Sequence, residues 1–295
     1  MKILLTGANG FLGKYISKVI DEYQPTFLSR NEEKGISCDL SVSKPDFNNK
    51  EFELVIHNAG KAHSNPKTSV EIDSFYKVNL DGTKNLCMSL EKINKLPTRF
   101  VFISTVAVYG VEAGENITEN APLLGNSAYA LSKIQAEKYL ETWCSKHKIL
   151  LTILRLPLVV GINAPGNFGM MLNSIKKGYY FRIGNGTAKR SMVLASDVAN
   201  IILKASEKGG TFNLTDGLHP SFAELDNYIS FTFDKKVKVL PLEFAKMLAK
   251  VGDFIPAFPF NSNKLVKMKS SLTFSSELAI KKINWNPNPV IGNIF

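Results

Sequence analysis

Along the first two thirds of the chain, short apolar runs alternate with longer stretches in which apolar positions recur every three or four residues. The runs are residues 3–6, 26–28, 54–57, 100–104, 150–154 and 192–195, and the helix-patterned stretches include 11–22, 70–90 and 129–147. A continuously apolar run is what a strand buried on both faces requires, and strands alternating with helices build a parallel sheet covered on both sides. The predicted fold class is therefore α/β, a doubly wound parallel sheet. The alternation lapses at the Gly/Pro/Asn-rich residues 161–169, and basic, loop-rich sequence follows up to Arg190. The chain is expected to return to the sheet over 192–205 and 211–214. Residues 1–165 and 192–215 would then form one domain, and 166–191 with 216–295 a second, smaller lobe.

The first run leads directly into Gly7-Ala8-Asn9-Gly10-Phe11-Leu12-Gly13 and a helix pattern. Strand, glycine turn and helix bring backbone N–H groups and the positive end of a helix against a pyrophosphate, and glycines permit the close approach. The spacing is GxxGxxG rather than GxGxxG, so the motif rests on its context. In such units an acidic residue ~20 positions further on holds the adenosine ribose hydroxyl. Here Phe27-Leu28-Ser29-Arg30 takes that place. A carboxylate would repel a 2′-phosphate whereas Ser29 and Arg30 would bind one, which favours NADP and leaves NAD as the alternative. The competing explanation is a surface arginine in an ordinary loop. Asp39 either accepts from an adenine amino group or caps a turn.

Tyr129-Ala130-Leu131-Ser132-Lys133 sets a phenol and an ammonium one helical turn apart. The ammonium favours the phenolate and so lowers the phenol towards a range useful for proton exchange at neutral pH. That spacing occurs in many helices. It gains weight from the run ending Phe102-Ile103-Ser104-Thr105, which brings Thr105 to the sheet edge where α/β proteins bind ligands.

Composition narrows the setting. The 295 residues are 44% hydrophobic and 21% charged, which excludes a disordered chain and allows one large domain or two modest ones. Lys and Arg number 36 against 26 Asp and Glu, and the net charge of +10 favours an anionic substrate or a polyanionic partner without choosing between them. Cys38, Cys87 and Cys144 form no CxxC, and Met1 leads straight into a strand with no signal peptide, so a reducing cytoplasm is expected and no metal site. No apolar run reaches the ~18 residues of a membrane span; the best, 149–162, contains Arg155. Residues 237–260 mix apolar side chains with Lys246, Lys250 and Asp253. Such a pattern either lies on a membrane surface or packs an amphipathic helix against its own domain, and the second is the expectation.

Taken together, the TGxxGxxG turn, Ser104-Thr105 followed by Val108-Tyr109-Gly110, and the Tyr129–Lys133 pair resemble the extended short-chain dehydrogenase/reductase family, in particular its nucleotide-sugar branch. The resemblance covers nearly the whole chain. It extends to His57-Asn58-Ala59-Gly60, Asn79-Leu80-Asp81-Gly82-Thr83, Leu154-Arg155-Leu156-Pro157, Arg190 with Asp197, and the C-terminal Asn263-Lys264-Leu265, Ser271-Leu272 and Ile283-Asn284-Trp285-Asn286-Pro287. It implies a Rossmann-type domain with a smaller C-terminal substrate-binding lobe. Tyr129 would be the general acid/base, Lys133 would hold the nicotinamide ribose, Thr105 would bond the sugar C4 oxygen, and Asn79 would support the relay. Cofactor contacts are implied at Gly7, Asn9, Gly10, Phe11, Leu12, Gly13, Ser29, Arg30, Asp39, Leu40, Asn58, Ala59, Gly60, Lys61, Pro157 and Val159, beside Tyr129 and Lys133. Substrate contacts are implied at His63, Thr105, Asn167 and Arg190, a guanidinium being apt for a diphosphate. A homodimer is also implied, with helices 70–90 and 129–147 at its interface, although each helix equally covers its own sheet.

Members of the family dehydrate, epimerise or reduce. The 4,6-dehydratases carry an Asp-Glu pair after the strand-terminal threonine; here Val106 and Ala107 follow Thr105, and elimination would lack its acid and base. Epimerase and 4-ketoreductase share Thr, Tyr and Lys. Arg30, with the NADP it implies, and Gly60-Lys61-Ala62-His63, which looks like the basic-x-His loop of UDP-sugar 4-reductases, favour reduction. So does Leu158 where hexose epimerases commonly carry Asn. The expected activity is reduction of the C4 ketone of a UDP-linked 4-keto-6-deoxy-HexNAc for surface polysaccharide, with UDP-sugar 4-epimerase as the alternative. A non-catalytic NADP sensor or nucleic-acid-binding scaffold is disfavoured because such a protein has no use for the catalytic set, so no nucleic acid is expected as a partner. A third role, as structural partner of a membrane glycosyltransferase, would draw on residues 237–260.

Overall fold

In the computed structural model, which describes residues 1–31, 35–62, 66–255 and 260–295, seven parallel strands form one sheet. Their order across it is Gly210–Asn213, Leu150–Leu156, Arg99–Thr105, Leu54–His57, Ile3–Thr6, Thr26–Ser29, Ile36–Ser37. Side chains alternate between the faces, as strand geometry requires. Leu4, Val55, Phe100, Phe102 and Ile153 pack on one side against Leu86, Leu90, Leu140 and Trp143 of two helices. Ile3, Leu5, Ile56, Val101, Ile103 and Leu154 pack on the other against Leu12, Ile16, Val198 and Ile202. Both faces are thus apolar and covered, which is why the strands read as unbroken runs. The sheet is doubly wound, and its order reverses between Ile3–Thr6 and Leu54–His57, opening a crevice at their carboxyl ends.

Two expectations are corrected. Met192–Leu194 is a strand, but it pairs with Leu158–Val160 in a separate two-stranded ribbon, and the helix Ala195–Ser206 then covers the large sheet. Val193 faces the sheet core while Met192 and Leu194 face a second core with Phe168, Leu172, Leu225 and Ile229. The chain end also departs from the expected division: the helix Glu277–Ile283 buries Ala279 and Ile283, followed by Trp285, in the sheet core, and the Trp285 indole N–H donates to the Thr215 carbonyl at 2.8 Å.

The stretch 70–90 is helical but not uniform. Thr68 and Glu71 form a reciprocal capping box at the start of Ser69–Tyr76, a π-helical turn follows over Lys77–Asp81, and Gly82–Leu90 resumes the α-helix. The longest helix, Ala128–His147, starts where the Ser127 hydroxyl accepts the Ala130 N–H and ends at left-handed Lys148. It is fastened to the sheet by a buried ion pair, Arg155 Nη2 to Glu137 Oε2 at 2.7 Å, with the Ser104 hydroxyl also donating to Glu137. Burial opposes the Arg155 charge, but the hydrogen bonds and attraction of Glu137 outweigh it and hold the guanidinium firmly protonated.

Glu137→Leu would strand the buried guanidinium and is expected to lower unfolding stability by ~3 to 5 kcal/mol, much of it regained in Glu137→Leu/Arg155→Leu. Urea unfolding of the two variants checks this.

Candidate active site

At the crevice, Gly7 has φ of +72°, and a Cβ there would lie 2.7 Å from the Ala59 nitrogen; a Cβ on Gly13 would lie 2.1 Å from the Gly7 oxygen. Only glycine fits either place. The helix Phe11–Val19 begins at Gly10 and has no acidic residue in its first turn, so its positive end is not neutralised. Asn58 Nδ2 donates to the Gly7 carbonyl at 3.0 Å and ties the neighbouring strand end to the turn. A glycine cradle open to a helix N-terminus fits a dinucleotide pyrophosphate. Leu12 points its side chain into the core and Phe11 packs edge-on to Tyr15. Any contact from Leu12 to a bound dinucleotide would therefore come from its backbone.

At the end of the next strand, Asn9 Nδ2 donates to the Ser29 hydroxyl at 3.1 Å and Arg30 is exposed. Asp39 caps a turn: its Oδ1 accepts the Ser41 N–H and hydroxyl at 2.9 and 2.7 Å, and these bonds, with help from Arg30, hold its carboxyl low. Leu40 is buried against Gly82. Val159 lies in the two-stranded ribbon, one residue beyond the Pro157–Leu158 junction.

Beside this cradle the structure brings Thr105, Tyr129, Lys133, Asn79 and Gly60 together. Thr105 Oγ1 accepts the Ala107 N–H at 3.2 Å, which leaves its proton for the Tyr129 oxygen. Burial pushes the Tyr129 phenol up, and the Thr105 hydrogen bond opposes the shift. The sequence expectation that Lys133 lowers the phenol is not what the geometry gives. Lys133 Nζ instead donates to the Ile103 carbonyl at 2.8 Å and lies 4.4 Å from the centre of the Phe102 ring. Burial brings the Lys133 ammonium down to about 8 against the opposing pull of Glu137, one helical turn away. A Cβ on Gly60 would lie 3.2 Å from Asn79 Oδ1 and 3.3 Å from Lys133 Nζ, so the glycine is what lets this loop reach the lysine.

Asn79 sits in the π turn, fully engaged. Its Oδ1 accepts the Lys61 N–H at 2.7 Å, and its Nδ2 donates to the Lys61 carbonyl at 3.1 Å and the Ser132 hydroxyl at 2.9 Å. The Lys61 ammonium is itself turned to the Ser74 hydroxyl at 2.5 Å. A cleft of about 650 Å³ opens over Tyr129, lined also by Tyr76, Asn126, Asn167 and Met170. Asn167, for which the resemblance implies a substrate contact, lines the same cleft as the phenol. Arg190 does not: its guanidinium donates to the backbone carbonyls of Lys189, Ser270 and Lys267 and lies over the Phe222 ring, so it braces the C-terminal segment. His63 lies outside the described residues.

His57 and Thr83 each belong to a sequence motif, and their joint role emerges from the hydrogen bonds. The Thr83 hydroxyl donates to the Asn79 carbonyl at 2.6 Å, so at 2.9 Å it must accept from His57 Nε2–H. His57 Nδ1 then accepts from the Thr6 hydroxyl at 2.7 Å, and Thr6 accepts the Ala59 N–H at 3.1 Å. One neutral imidazole thereby connects the end of the first strand to the π turn. Burial, and secondarily the Lys133 charge, hold it down to about 3.

The geometry defines a class: a dinucleotide-binding α/β protein in which a threonine, a tyrosine and a lysine gather beside the glycine cradle. A profile of the NAD dependent epimerase/dehydratase family matches residues 3–215, and the chain belongs to that family. It is 28% identical over 264 residues to UDP-glucose 4-epimerase of Vibrio cholerae, spanning 81% of this chain and 78% of that one. It is also 28% identical over 257 residues to N-acetyl-alpha-D-glucosaminyl-diphospho-ditrans,octacis-undecaprenol 4-epimerase of Escherichia coli O157:H7, spanning 82% and 75%. Among solved structures, UDP-N-acetylglucosamine 4-epimerase from Bacillus cereus superposes with a TM-score of 0.76 at 22% identity, covering 100% of this chain and 96% of that one. Among the described residues no helix is long and apolar enough to cross a membrane.

In the unfolded chain His57 takes up a proton near 6.5, and in the folded protein only near about 3, so its contribution to stability is complete above 6.5 and is lost as pH falls through that window. The loss is up to ~1.4 kcal/mol per pH unit. His57→Gln is expected to be less stable at neutral pH, because Thr6 and Thr83 lose their partner, and to show a shallower decline on acidification in urea unfolding.

Proposed function

We propose that this family member is an NADPH-dependent 4-ketoreductase acting on a UDP-linked 4-keto-6-deoxy-HexNAc, with Tyr129, Lys133 and Thr105 as its catalytic residues. The observation that carries the choice of cofactor, and with it of reduction, is the exposed Arg30 following Ser29 where a carboxylate would select NAD. The glycine cradle, Ser29 and Arg30 would hold the dinucleotide, and Gly60 would let the loop approach its nicotinamide end beside Lys133. When bound, NADPH would supply hydride to the sugar C4. Tyr129 gives its proton to the developing C4 oxygen, and burial, by pushing the phenol up, keeps it in the protonated form from which that proton is given. The Thr105 hydroxyl, bonded to that phenol, steers the same oxygen. Lys133 stands close enough to a neutral working range to return the proton. Asn167, which lines the same cleft, would contact the substrate. Val106 and Ala107 after Thr105 leave no carboxyl pair to eliminate water, which speaks against dehydration.

A second reading is 4-epimerisation, favoured by the names of the two sequence relatives above. One experiment separates them. With UDP-4-keto-6-deoxy-GlcNAc, NADPH should be consumed, and UDP-GlcNAc and UDP-GalNAc should not interconvert; the reverse pattern establishes epimerase. Tyr129→Phe is expected to slow turnover by ~10²- to 10⁴-fold while leaving NADPH affinity nearly intact.

Cofactor choice is tested separately. Arg30→Ala removes a charge-assisted contact of ~1.5 to 3 kcal/mol and should cut the preference for NADPH over NADH by roughly one to two decades in fluorescence titrations. Equal wild-type affinities for the two cofactors would remove the argument for reduction.

A further inference from the structure

The helix Leu242–Phe254 is packed the opposite way from a helix that merely covers its own lobe. Its small residues Ala245, Ala249 and Gly252 are buried, against Leu265, Ile183 and Leu240. Its large residues Phe244, Met247, Val251 and Phe254 are 48%, 54%, 44% and 86% exposed. At about 100° per residue these four fall within one stripe roughly 80° wide, turned away from the buried side. The sequence expectation, an amphipathic helix packed on its own domain, accounts for the alanine face and leaves the larger apolar face without a partner.

Charge says what that face is built for. Residues 235–269 carry eight lysines against Glu243 and Asp253. Both acids are engaged locally, Glu243 with Lys246 at 2.7 Å and Asp253 with the Ser262 N–H and hydroxyl. Lys267 also pairs with Glu112. Lys246 and Lys250 lie along one edge of the stripe on the same helix. The apolar row is set among cations, so a second copy of the chain would bring two like-charged patches together. An anionic bilayer matches both features at once, taking the apolar side chains below its headgroups and the lysines among its phosphates.

We propose that this helix docks the protein flat on an anionic lipid surface, with Phe244, Met247, Val251 and Phe254 as the inserted row and Lys246 and Lys250 at its rim. The helix lies on the bilayer and does not span it. None of these residues belongs to the cleft over Tyr129, so docking leaves the catalytic set intact.

The test is flotation of the full chain with vesicles of phosphatidylcholine alone and of phosphatidylcholine with phosphatidylglycerol, without substrate. The protein is expected to float with the anionic vesicles at low salt and to be released as salt rises. Met247→Asp/Phe254→Asp and Lys246→Glu/Lys250→Glu should each weaken this by roughly tenfold or more. Phe254→Trp, at the most exposed of the four positions, should give an indole emission that shifts to the blue on anionic vesicles and not on neutral ones. Absence of wild-type flotation at low salt, equal flotation with neutral vesicles, or flotation unchanged by Met247→Asp/Phe254→Asp would overturn the proposal. So would a wild-type dimer in sedimentation velocity that Phe254→Asp converts to monomer, because a second copy would then cover the stripe. Loss of vesicle binding would leave the reductase proposal untouched, since the assay involves neither cofactor nor sugar.

Discussion

Much of the site depends on His57 remaining uncharged. With its proton fixed on Nε2 by Thr83, the imidazole can accept from Thr6 on one side and donate on the other, so each hydroxyl in the chain has a definite donor and acceptor role. A second ring proton would face the Thr6 hydroxyl and break the sequence of bonds. Phe102, stacked on His57 at 5.7 Å, lies also beneath the Lys133 ammonium, so the same aromatic ring shields the histidine and supports the lysine. One directed hydrogen-bond path thus runs from the strand end beside the glycine cradle to Asn79 and Ser132.

The second core is joined to the first. Val193 packs with the sheet while its neighbours Met192 and Leu194 pack with the lobe, so one three-residue strand belongs to two apolar interiors. Asp197 accepts from the Asn288 backbone and side chain at 2.7 and 2.9 Å and draws the chain end back over the same region. Separate unfolding of the lobe would expose one side of that strand and release the tail, which favours loss of structure in a single step.

The parts of this architecture legible in the sequence were those governed by local pattern. Buried parallel strands announce themselves as apolar runs, and Tyr129 and Lys133 share a helix face by arithmetic alone. Met192–Leu194 reads as a strand too, but three apolar residues carry no information about which sheet receives them. Arg190 looked like a phosphate ligand because a guanidinium suits one; that its donors are taken by carbonyls some 80 residues further on depends on a chain crossing no spacing reveals. The lysine's influence on the tyrosine was inferred from proximity, whereas a carbonyl at the end of the sheet strand receives the ammonium instead. The outward row on Leu242–Phe254 was visible as apolar residues but not as exposed ones, because a helix with small residues on one side and large ones on the other packs by whichever side the lobe accommodates.

The π turn at Lys77–Asp81 has a consequence for how this chain tolerates change in length. One residue more than an α-helix needs is wound into that turn, within which the Asn79 amide reaches both Lys61 and Ser132. Deleting a single residue there would restore regular winding and better backbone geometry. It would also rotate the preceding Ser69–Tyr76 segment by about 100° relative to Gly82–Leu90, carrying Tyr76 off the cleft wall and Phe75 out of its contact with Tyr129. The irregularity therefore acts as a phase setting between two halves of one helix, and a shortened, smoother helix would be mistimed with respect to the site it borders.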